Sequence, residues 1–223
     1  MTISIIAPSL ILLDMDGVIA DTAPGHKRAW NAYMARHGRR FTDEEFLAIF
    51  GTGNKELCRI LFPDTELSPD AIKRIGDEKE ALFREMSRGL LRPYPGFHEF
   101  LDACERDGIP VAVGSSACRA NVDFVLEDMG IADRFAATVS ADDVRHAKPA
   151  PDIFLKAAGI VGVEPKDCLV VEDSLMGIEA AHAAGMKVVG MATTHHRDEL
   201  EAADLVVEDF RDLLDPAPEA SRV

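Results

Sequence analysis

Short apolar runs, each closed by a glycine or a polar residue, constrain the fold of this chain more than any other feature. They lie at residues 10–13, 110–114, 136–139, 168–171 and 188–191, with a weaker run at 205–207. Stretches with helical spacing separate the later runs, at residues 96–107, 119–129, 151–158 and 174–184. Runs of this length are typical of strands buried on both faces. Strands that alternate with helices predict an α/β fold with a doubly wound, Rossmann-like parallel sheet.

One segment interrupts this alternation. Residues 22–88 contain no convincing strand and several helical stretches, at 26–37, 43–50, 55–61 and 68–87. A connection between a strand and the next helix normally takes only a few residues, so a segment of this length indicates an insertion. We therefore expect an α/β core domain of residues 1–21 and 89–223, and an inserted helical domain of residues 22–88.

Composition excludes several classes of function. Lys and Arg number 24 against 39 Asp and Glu, which gives a net charge of −15. A chain this acidic repels polyphosphate backbones, so we expect no nucleic-acid partner. The apolar N-terminal stretch stops at Asp14, short of the roughly 20 residues of a membrane span, so we expect no membrane partner. The four cysteines are widely spaced, which favours free thiols in a reducing compartment, so we expect a cytoplasmic protein. As its oligomeric state we expect a monomer or weak homodimer.

Polar residues follow the apolar runs at the points where ligands bind in open α/β sheets. They are Asp14 and Asp16 after the first run, Ser115 and Ser116 after the second, Lys148 after the third, and Glu172 and Asp173 after the fourth. Converging carboxylates require a neutralising cation, and oxygen ligands favour Mg²⁺. Lys148 and Ser115 are suitable donors to a phosphoryl group, and a carboxylate can act as its nucleophile. A second carboxylate, if protonated, can donate to the leaving oxygen.

Each of these features also has an ordinary structural explanation. Asp14 to Gly17 could form a solvated turn after a strand, and Ser115, Ser116 and Ser174 could cap helices. Lys148 could be a surface lysine before a proline that begins a helix. Their occurrence in order, each following an apolar run, favours the functional interpretation.

The pattern resembles the haloacid dehalogenase superfamily of phosphohydrolases over nearly the whole chain. Residues 14–22, with the sequence DMDGVIADT, resemble its first motif, and Ser115, Lys148 and Glu172–Asp173 match the second, third and fourth. The resemblance implies that Asp14 is the nucleophile and Asp16 the acid/base. It also implies Mg²⁺ held by Asp14, the Asp16 carbonyl and Asp173, with Glu172 as a further candidate ligand. The insertion resembles the α-helical cap of β-phosphoglucomutase, phosphoglycolate phosphatase and related enzymes.

The same resemblance suggests residues that bind substrate. His26, followed by Ala29 and Trp30, resembles a stretch of the β-phosphoglucomutase branch in which the histidine helps control the acid/base. Further candidates are Gly51, Asn54, Lys79, Ser116 and Arg119. Asn54 stands where the mutase carries an arginine for a second phosphate, and Ala117 stands where it carries a serine. A second phosphate needs its own cationic or multi-donor clamp, which Arg119 or Lys55 could supply by another route.

The leading hypothesis is a Mg²⁺-dependent phosphatase that acts on a small phosphorylated metabolite, a sugar or hydroxy-acid phosphate, through an aspartyl phosphate. A β-phosphoglucomutase-like isomerase is the first alternative. A phospho-acceptor signalling module of receiver type is the second. That fold also uses an acidic pair, a phosphorylated Asp, a hydroxyl residue and a Lys, but it carries its phosphorylated Asp after a middle strand and lacks a helical insertion.

Overall fold

The chain divides into two compact units, with boundaries at Asp21/Thr22 and Leu90/Leu91. The computed structural model describes residues 8–42, 45–46, 54–63 and 65–214, with the backbone alone for 54–56. The second boundary lies two residues after the one expected from the sequence. The unit between these boundaries, Thr22–Leu90, is the helical unit, and the rest of the chain is the α/β unit.

The α/β unit contains a parallel sheet of six strands in the order β3-β2-β1-β4-β5-β6. The strands are β1 (Leu10–Leu13), β2 (Val111–Gly114), β3 (Ala137–Val139), β4 (Cys168–Glu172), β5 (Lys187–Met191) and β6 (Leu205–Val207). The doubly wound α/β fold expected from the alternating pattern is confirmed. Every residue of β1 is buried, as expected of a central strand with helices on both faces.

Five described α-helices belong to this unit: α4 (Phe97–Arg106), α5 (Arg119–Asp128), α6 (Asp152–Val161), α7 (Leu175–Ala183) and the short α8 (Arg211–Leu214). Helix α6 packs on β1, β2 and β3, and α7 packs on β4 and β5. Apolar side chains of these helices, such as Phe154 and Ile178, form one core cluster with Leu12 and Val170. Burying these apolar surfaces against the sheet is the main favourable contribution to folding of the unit.

The register of the central strands aligns their carboxyl ends. Leu13 of β1 pairs with Val113 of β2 and with Val171 of β4. The residues that come next, among them Asp14 after β1 and Glu172 at the end of β4, therefore lie at the same end of the strands. This alignment is what brings residues far apart in sequence to one site.

The helical unit contains α1 (Ala23–Ala35), α2 (Asn54–Leu61) and α3 (Pro69–Ser87) among its described residues. Ser68 caps α3 by accepting the Ala71 N–H at 3.2 Å, and Pro69 occupies the first turn, where no backbone donor is needed. The core of the helical unit contains Trp30, Met34 and seven further buried residues: Tyr33, Phe41, Phe46, Leu57, Cys58, Leu61 and Ile75. Across the described part of the chain, no helix combines the length and apolar character that crossing a membrane requires.

Candidate active site

Lys148 is the centre of a buried network at the carboxyl ends of β1, β2 and β4. Its ammonium donates to Asp14 Oδ1 at 2.5 Å, to Glu172 Oε1 at 2.6 Å and to the Gly114 carbonyl at 3.0 Å. These three acceptors use the three hydrogens of the ammonium group. Burial alone would lower the pKa of Lys148, but the charges of Asp14 and Glu172 raise it above its ordinary value, so the side chain stays protonated.

Glu172, the last residue of β4, is held through both of its carboxylate oxygens. Oε1 accepts from Lys148, while Oε2 accepts the backbone N–H of Ser174 at 2.8 Å and its hydroxyl at 2.9 Å. Ser174 in turn caps α7 by accepting the Gly177 N–H at 3.1 Å. The described contacts therefore make Glu172 a partner of Lys148, and they leave Asp14 and Asp173 as better candidates for metal ligands.

Asp14 lies at the end of β1 and is 6% exposed. Burial raises its pKa to about 7, opposed by the Lys148 ammonium and increased further by the charges of Glu172 and Asp16. Lys148 engages one carboxylate oxygen, Oδ1, so Oδ2 is the oxygen that could serve as a nucleophile. Asp16, the second carboxylate of the motif, is partly exposed on the same loop.

Gly17 is required by the close approach of the loops after β1 and β4. Its backbone φ is 84°, in the left-handed region that favours glycine. A Cβ at this position would lie 2.0 Å from Asp173 Oδ2 and 2.8 Å from Thr194 Oγ1. The glycine of the DMDG sequence is thus explained by space as well as by conformation.

Ser115 follows β2 and is completely buried. Its hydroxyl oxygen accepts the Ala117 N–H at 3.0 Å, so its hydrogen can be donated elsewhere. A buried hydroxyl with a hydrogen to donate suits a phosphoryl oxygen. Ser116, the neighbouring candidate, is exposed.

The charge balance of the site fits a divalent cation. Asp14, Glu172 and Asp173 are all at least nine-tenths buried, and Lys148 is the one ammonium that bonds to this group in the described structure. Three carboxylates against one ammonium leave two negative charges if all are ionised. Burial, with the charges of Glu172 and Asp14, raises the pKa of Asp173 well above its ordinary value, which reflects this crowding.

The donor set fits Mg²⁺ better than a metal held entirely by side chains. Among the described residues, no group of three or more His, Cys, Asp or Glu side chains forms a metal cage. Mg²⁺ retains several waters and is usually bound by one or two carboxylates together with substrate oxygens. Asp14 and Asp173, with the backbone carbonyl of Asp16, provide such a set.

Arg119, a candidate for binding a substrate phosphate, is bonded within the α/β unit. Its guanidinium donates to the hydroxyl of Thr138 and to the Thr138 carbonyl, each at 3.0 Å, and it pairs with Asp143. One guanidinium nitrogen also lies 3.5 Å from Asp123 Oδ1. These bonds join the start of α5 to β3 and to the turn after it, so the structure uses Arg119 to hold the α/β unit together.

Two substrate-binding candidates come together within the helical unit. The Nδ1 atom of His26 lies 3.2 Å from the Lys79 ammonium, and its ring stacks on Phe83 with centroids 3.9 Å apart. Lys79 is 4% exposed, forms an ion pair with Glu80, and lies 5.3 Å from the centre of the Trp30 ring. The cluster is compact, so neither side chain is an isolated surface residue.

The other two candidates in this unit are only partly open to description. Gly51 lies outside the described residues. Asn54 begins α2, and its side chain is also outside the description. Their assignment to substrate binding stays a prediction.

Thr193 and Thr194 are site residues that sequence reasoning missed. The Thr193 hydroxyl donates to the Gly17 carbonyl, and the Thr194 hydroxyl donates to Asp173 Oδ2. Both follow β5, so the rule applied to the earlier strands, to inspect what comes after each apolar run, would have identified them. Hydroxyl side chains in a loop are common, which is why the pattern alone did not distinguish these two.

Replacing Gly177 with Ala tests the importance of the Glu172 position. A Cβ there would lie 1.8 Å from Glu172 Oε1, and the carboxylate cannot move away without losing bonds to Lys148 and Ser174. We expect catalytic turnover to fall by about tenfold or more, equivalent to about 1.4 kcal/mol of barrier. Gly159→Ala is the matched control, because a Cβ in this exposed position of α6 meets nothing within 4 Å.

The control should keep full activity and gain about 0.5–1 kcal/mol in the free energy of unfolding, since alanine is the better helix former. Steady-state assays and urea unfolding of both variants provide the comparison. Equal activity of Gly177→Ala and wild type would show that the Glu172 position does not matter for turnover.

"Fructose-1-phosphate phosphatase YqaB" of Escherichia coli (strain K12) is 34% identical over 183 residues, which are 80% of this chain and 94% of the relative. Two relatives from Arabidopsis thaliana are longer proteins, of which this chain spans 18% and 54%. They are "Protein SUPPRESSOR OF QUENCHING 1, chloroplastic" and "Bifunctional riboflavin kinase/FMN phosphatase".

Solved structures are similar over most of the chain. CbbY from Rhodobacter sphaeroides in complex with phosphate has a TM-score of 0.82 at 28% identity and covers 92% of this chain and 96% of its own. The β-phosphoglucomutase pgmB of Clostridium difficile has a TM-score of 0.80 at 26% identity and covers 92% and 93%. A family model described as haloacid dehalogenase-like hydrolase matches residues 8–185. The chain therefore belongs to the haloacid dehalogenase-like hydrolases.

Proposed function

We propose that this protein is a Mg²⁺-dependent phosphatase that hydrolyses a small phosphorylated metabolite, a sugar or hydroxy-acid phosphate. The observation that carries the proposal is the buried Asp14 carboxylate, held through one oxygen by Lys148 at the end of the central strand. The similarity to a fructose-1-phosphate phosphatase supports a sugar phosphate as the substrate class. Membership in the hydrolase family leaves the receiver-type alternative without support.

The proposed reaction proceeds in two displacements at phosphorus. Asp14 Oδ2 attacks the phosphorus atom, the bond from phosphorus to the leaving oxygen breaks, and Asp16 gives its proton to that oxygen. Water then attacks the phosphorus atom of the aspartyl phosphate and passes a proton to Asp16. The bond between phosphorus and Asp14 Oδ2 breaks, which releases phosphate and regenerates the Asp14 carboxylate. Ser115 would donate its hydroxyl hydrogen to a phosphoryl oxygen in both steps.

Lys148 would act on Asp14 more than on the substrate. Its three hydrogens bond to Asp14, Glu172 and the Gly114 carbonyl, so it fixes the orientation of the nucleophile and balances part of the negative charge. Asp14, the Asp16 carbonyl and Asp173 would hold Mg²⁺, with Glu172 as the partner of Lys148. When bound, the cation would supply charge neutralisation between the carboxylates and the phosphoryl oxygens.

Removal of the metal should abolish activity. Exhaustive treatment with EDTA is expected to stop phosphate release, and addition of Mg²⁺ should restore it, because the carboxylates would otherwise repel the substrate dianion. Ca²⁺ should inhibit, since its larger and more flexible coordination shell does not reproduce the geometry that Mg²⁺ imposes. Full activity in thoroughly chelated protein would contradict the metal site.

The test of the proposed function is a phosphate-release assay on a panel of phosphorylated metabolites that includes fructose 1-phosphate, with p-nitrophenyl phosphate as a general reporter. We expect many turnovers per enzyme molecule on at least one metabolite, and release about a thousandfold slower or less from Asp14→Asn. A single stoichiometric release, or no release from any sugar or hydroxy-acid phosphate, would contradict the proposal.

A β-phosphoglucomutase-like isomerase is the second candidate, favoured by the structural similarity to pgmB. A mutase must hold two phosphate groups while its intermediate reorients. Arg119 is bonded within the α/β unit, and the sequence has Asn54 where the mutase has an arginine. We therefore expect phosphate release to exceed isomerisation.

A coupled assay for glucose 6-phosphate decides between the two. It is run on β-glucose 1-phosphate with a trace of the bisphosphate, beside a free-phosphate assay on the same protein. Isomerisation about ten times faster than phosphate release, or about 1.4 kcal/mol lower in barrier, would establish the mutase.

A further inference from the structure

The loop after β5 contributes two consecutive hydroxyl groups to the candidate active site. Thr193 donates to the carbonyl of Gly17, on the loop after β1. Thr194 donates to Asp173 Oδ2, on the loop after β4. One dipeptide thus bonds to both loops that carry the metal ligands proposed above.

Three loops meet closely at this point. A Cβ on Gly17 would lie 2.0 Å from Asp173 Oδ2 and 2.8 Å from Thr194 Oγ1. The Gly17 backbone, the Asp173 carboxylate and the Thr194 hydroxyl therefore pack against one another with no space for a methyl group. Because the loops are so close, a change in the orientation of the Asp173 carboxylate has to disturb its neighbours.

Asp173 has particular need of a fixed donor. It is 5% exposed, so water does little to hold it, and the nearby carboxylates of Glu172 and Asp14 repel it. The Thr194 hydroxyl, which offsets part of this repulsion, engages Oδ2 and leaves Oδ1 as the oxygen for a cation. Mg²⁺ demands near-ideal octahedral geometry, so a carboxylate that rotates freely is a poorer ligand.

We propose that Thr194 is a positioning residue for the metal site, orienting Asp173 through its hydroxyl, with Thr193 holding the adjacent loop. The inference rests on the Mg²⁺ site of the proposed function. Residues that hydrogen-bond a metal-binding carboxylate fix its orientation, and their loss typically weakens metal binding by about 10–100-fold. Thr194→Val removes the hydroxyl while preserving the shape of the side chain, and Thr194→Ser keeps the hydroxyl.

The experiment is calorimetric titration of the whole 223-residue chain with MgCl₂ alone, without substrate. We expect Thr194→Val to bind Mg²⁺ about tenfold or more weakly than wild type, and Thr194→Ser to bind within about threefold of it. Thr138→Val is the matched control, since Thr138 is a threonine of the same unit whose hydroxyl bonds to Arg119. Its Mg²⁺ affinity should equal that of wild type.

Kinetics supply a second readout that a general loss of structure would not produce. In Thr194→Val, the Mg²⁺ concentration for half-maximal activity should rise about as much as the dissociation constant, while kcat at saturating Mg²⁺ stays within about threefold. Should Thr194→Val not fold, as judged by urea unfolding in EDTA, Thr194→Ala takes its place.

Wild-type Mg²⁺ affinity in Thr194→Val would overturn the inference, and so would a Thr194→Ser variant as impaired as Thr194→Val. Failure of the metal site itself has a different signature. In that case the wild-type protein shows no Mg²⁺ binding and keeps its activity in EDTA, which overturns the metal-dependent function and this inference together.

Discussion

Asp14→Asn is expected to lower turnover on the order of a thousandfold or more, equivalent to about 4 kcal/mol of barrier. The amide has nearly the same volume as the carboxylate, but it lacks the negative charge that makes Asp14 a nucleophile. It can still accept a hydrogen bond from Lys148, so the fold should persist. The measurement is steady-state phosphate release, with circular dichroism and urea unfolding to confirm that the variant is folded.

Asp102→Asn is the matched control for this substitution. Asp102 lies on α4, is mostly exposed, and pairs with Arg134 at 2.9 Å away from the candidate active site. An exposed ion pair contributes little, so both activity and stability should remain near wild type. If Asp14→Asn retained more than a few per cent of wild-type activity, Asp14 could not be the nucleophile.

Lys148→Met is expected to cost both stability and activity. The substitution leaves the buried carboxyl groups of Asp14 and Glu172 without their shared ammonium. Removing one partner from a buried ion pair typically costs about 3–5 kcal/mol, because the remaining charge is uncompensated. Turnover should also fall on the order of a hundredfold or more, since Asp14 loses the donor that orients it.

The stability of this variant should be measured by urea unfolding in EDTA, because Mg²⁺ bound to the native state would add to the apparent stability. Lys166→Met provides the control, since Lys166 is exposed and its ion pair with Asp167 is long, at 3.9 Å between Nζ and Oδ2. Its free energy of unfolding should stay within about 0.5 kcal/mol of wild type. A loss of less than about 1 kcal/mol in Lys148→Met would show that the buried network is not a stabilising unit.

Much of the fold follows from local sequence patterns. The apolar run Leu10–Leu13 is followed by Asp14 and Gly17, and it forms β1 with the same bounds. β6 also matches its run at 205–207, whereas each of the other four strands differs from its run by one residue. One such difference is Glu172, which the apolar pattern excluded from β4. Glu172 is charged, and charged residues are rarely buried in a strand unless they are paired. Here the Lys148 ammonium balances its charge, and this ion pair cannot be predicted from the apolar pattern.

The arrangement of the site depends on contacts that no local pattern contains. Strand order sets which loops are neighbours, and β5 lies next to β4 with Glu172 paired to Gly190. Only this pairing brings Thr194 to Asp173. A sequence pattern places residues at strand ends, but the partner of each side chain is decided by the packing of distant segments.

Arg119 illustrates the same point for a candidate substrate-binding residue. A guanidinium is a good phosphate ligand, so its position after the second motif suggested a role in substrate binding. The structure provides Thr138 and Asp143 as partners, from a strand and a turn later in the chain. Their presence next to Arg119 could not be read from the residues around it.

The central claim is that the phosphoryl group passes through Asp14 before it reaches water. The stereochemical course at phosphorus tests this directly and does not require the intermediate to accumulate. The substrate is a thiophosphate monoester made chiral at phosphorus with oxygen isotopes, hydrolysed by the wild-type protein in water of a third isotope. Two in-line displacements each invert the configuration, so our account predicts net retention in the released thiophosphate. Net inversion would mean a single displacement by water and would contradict it.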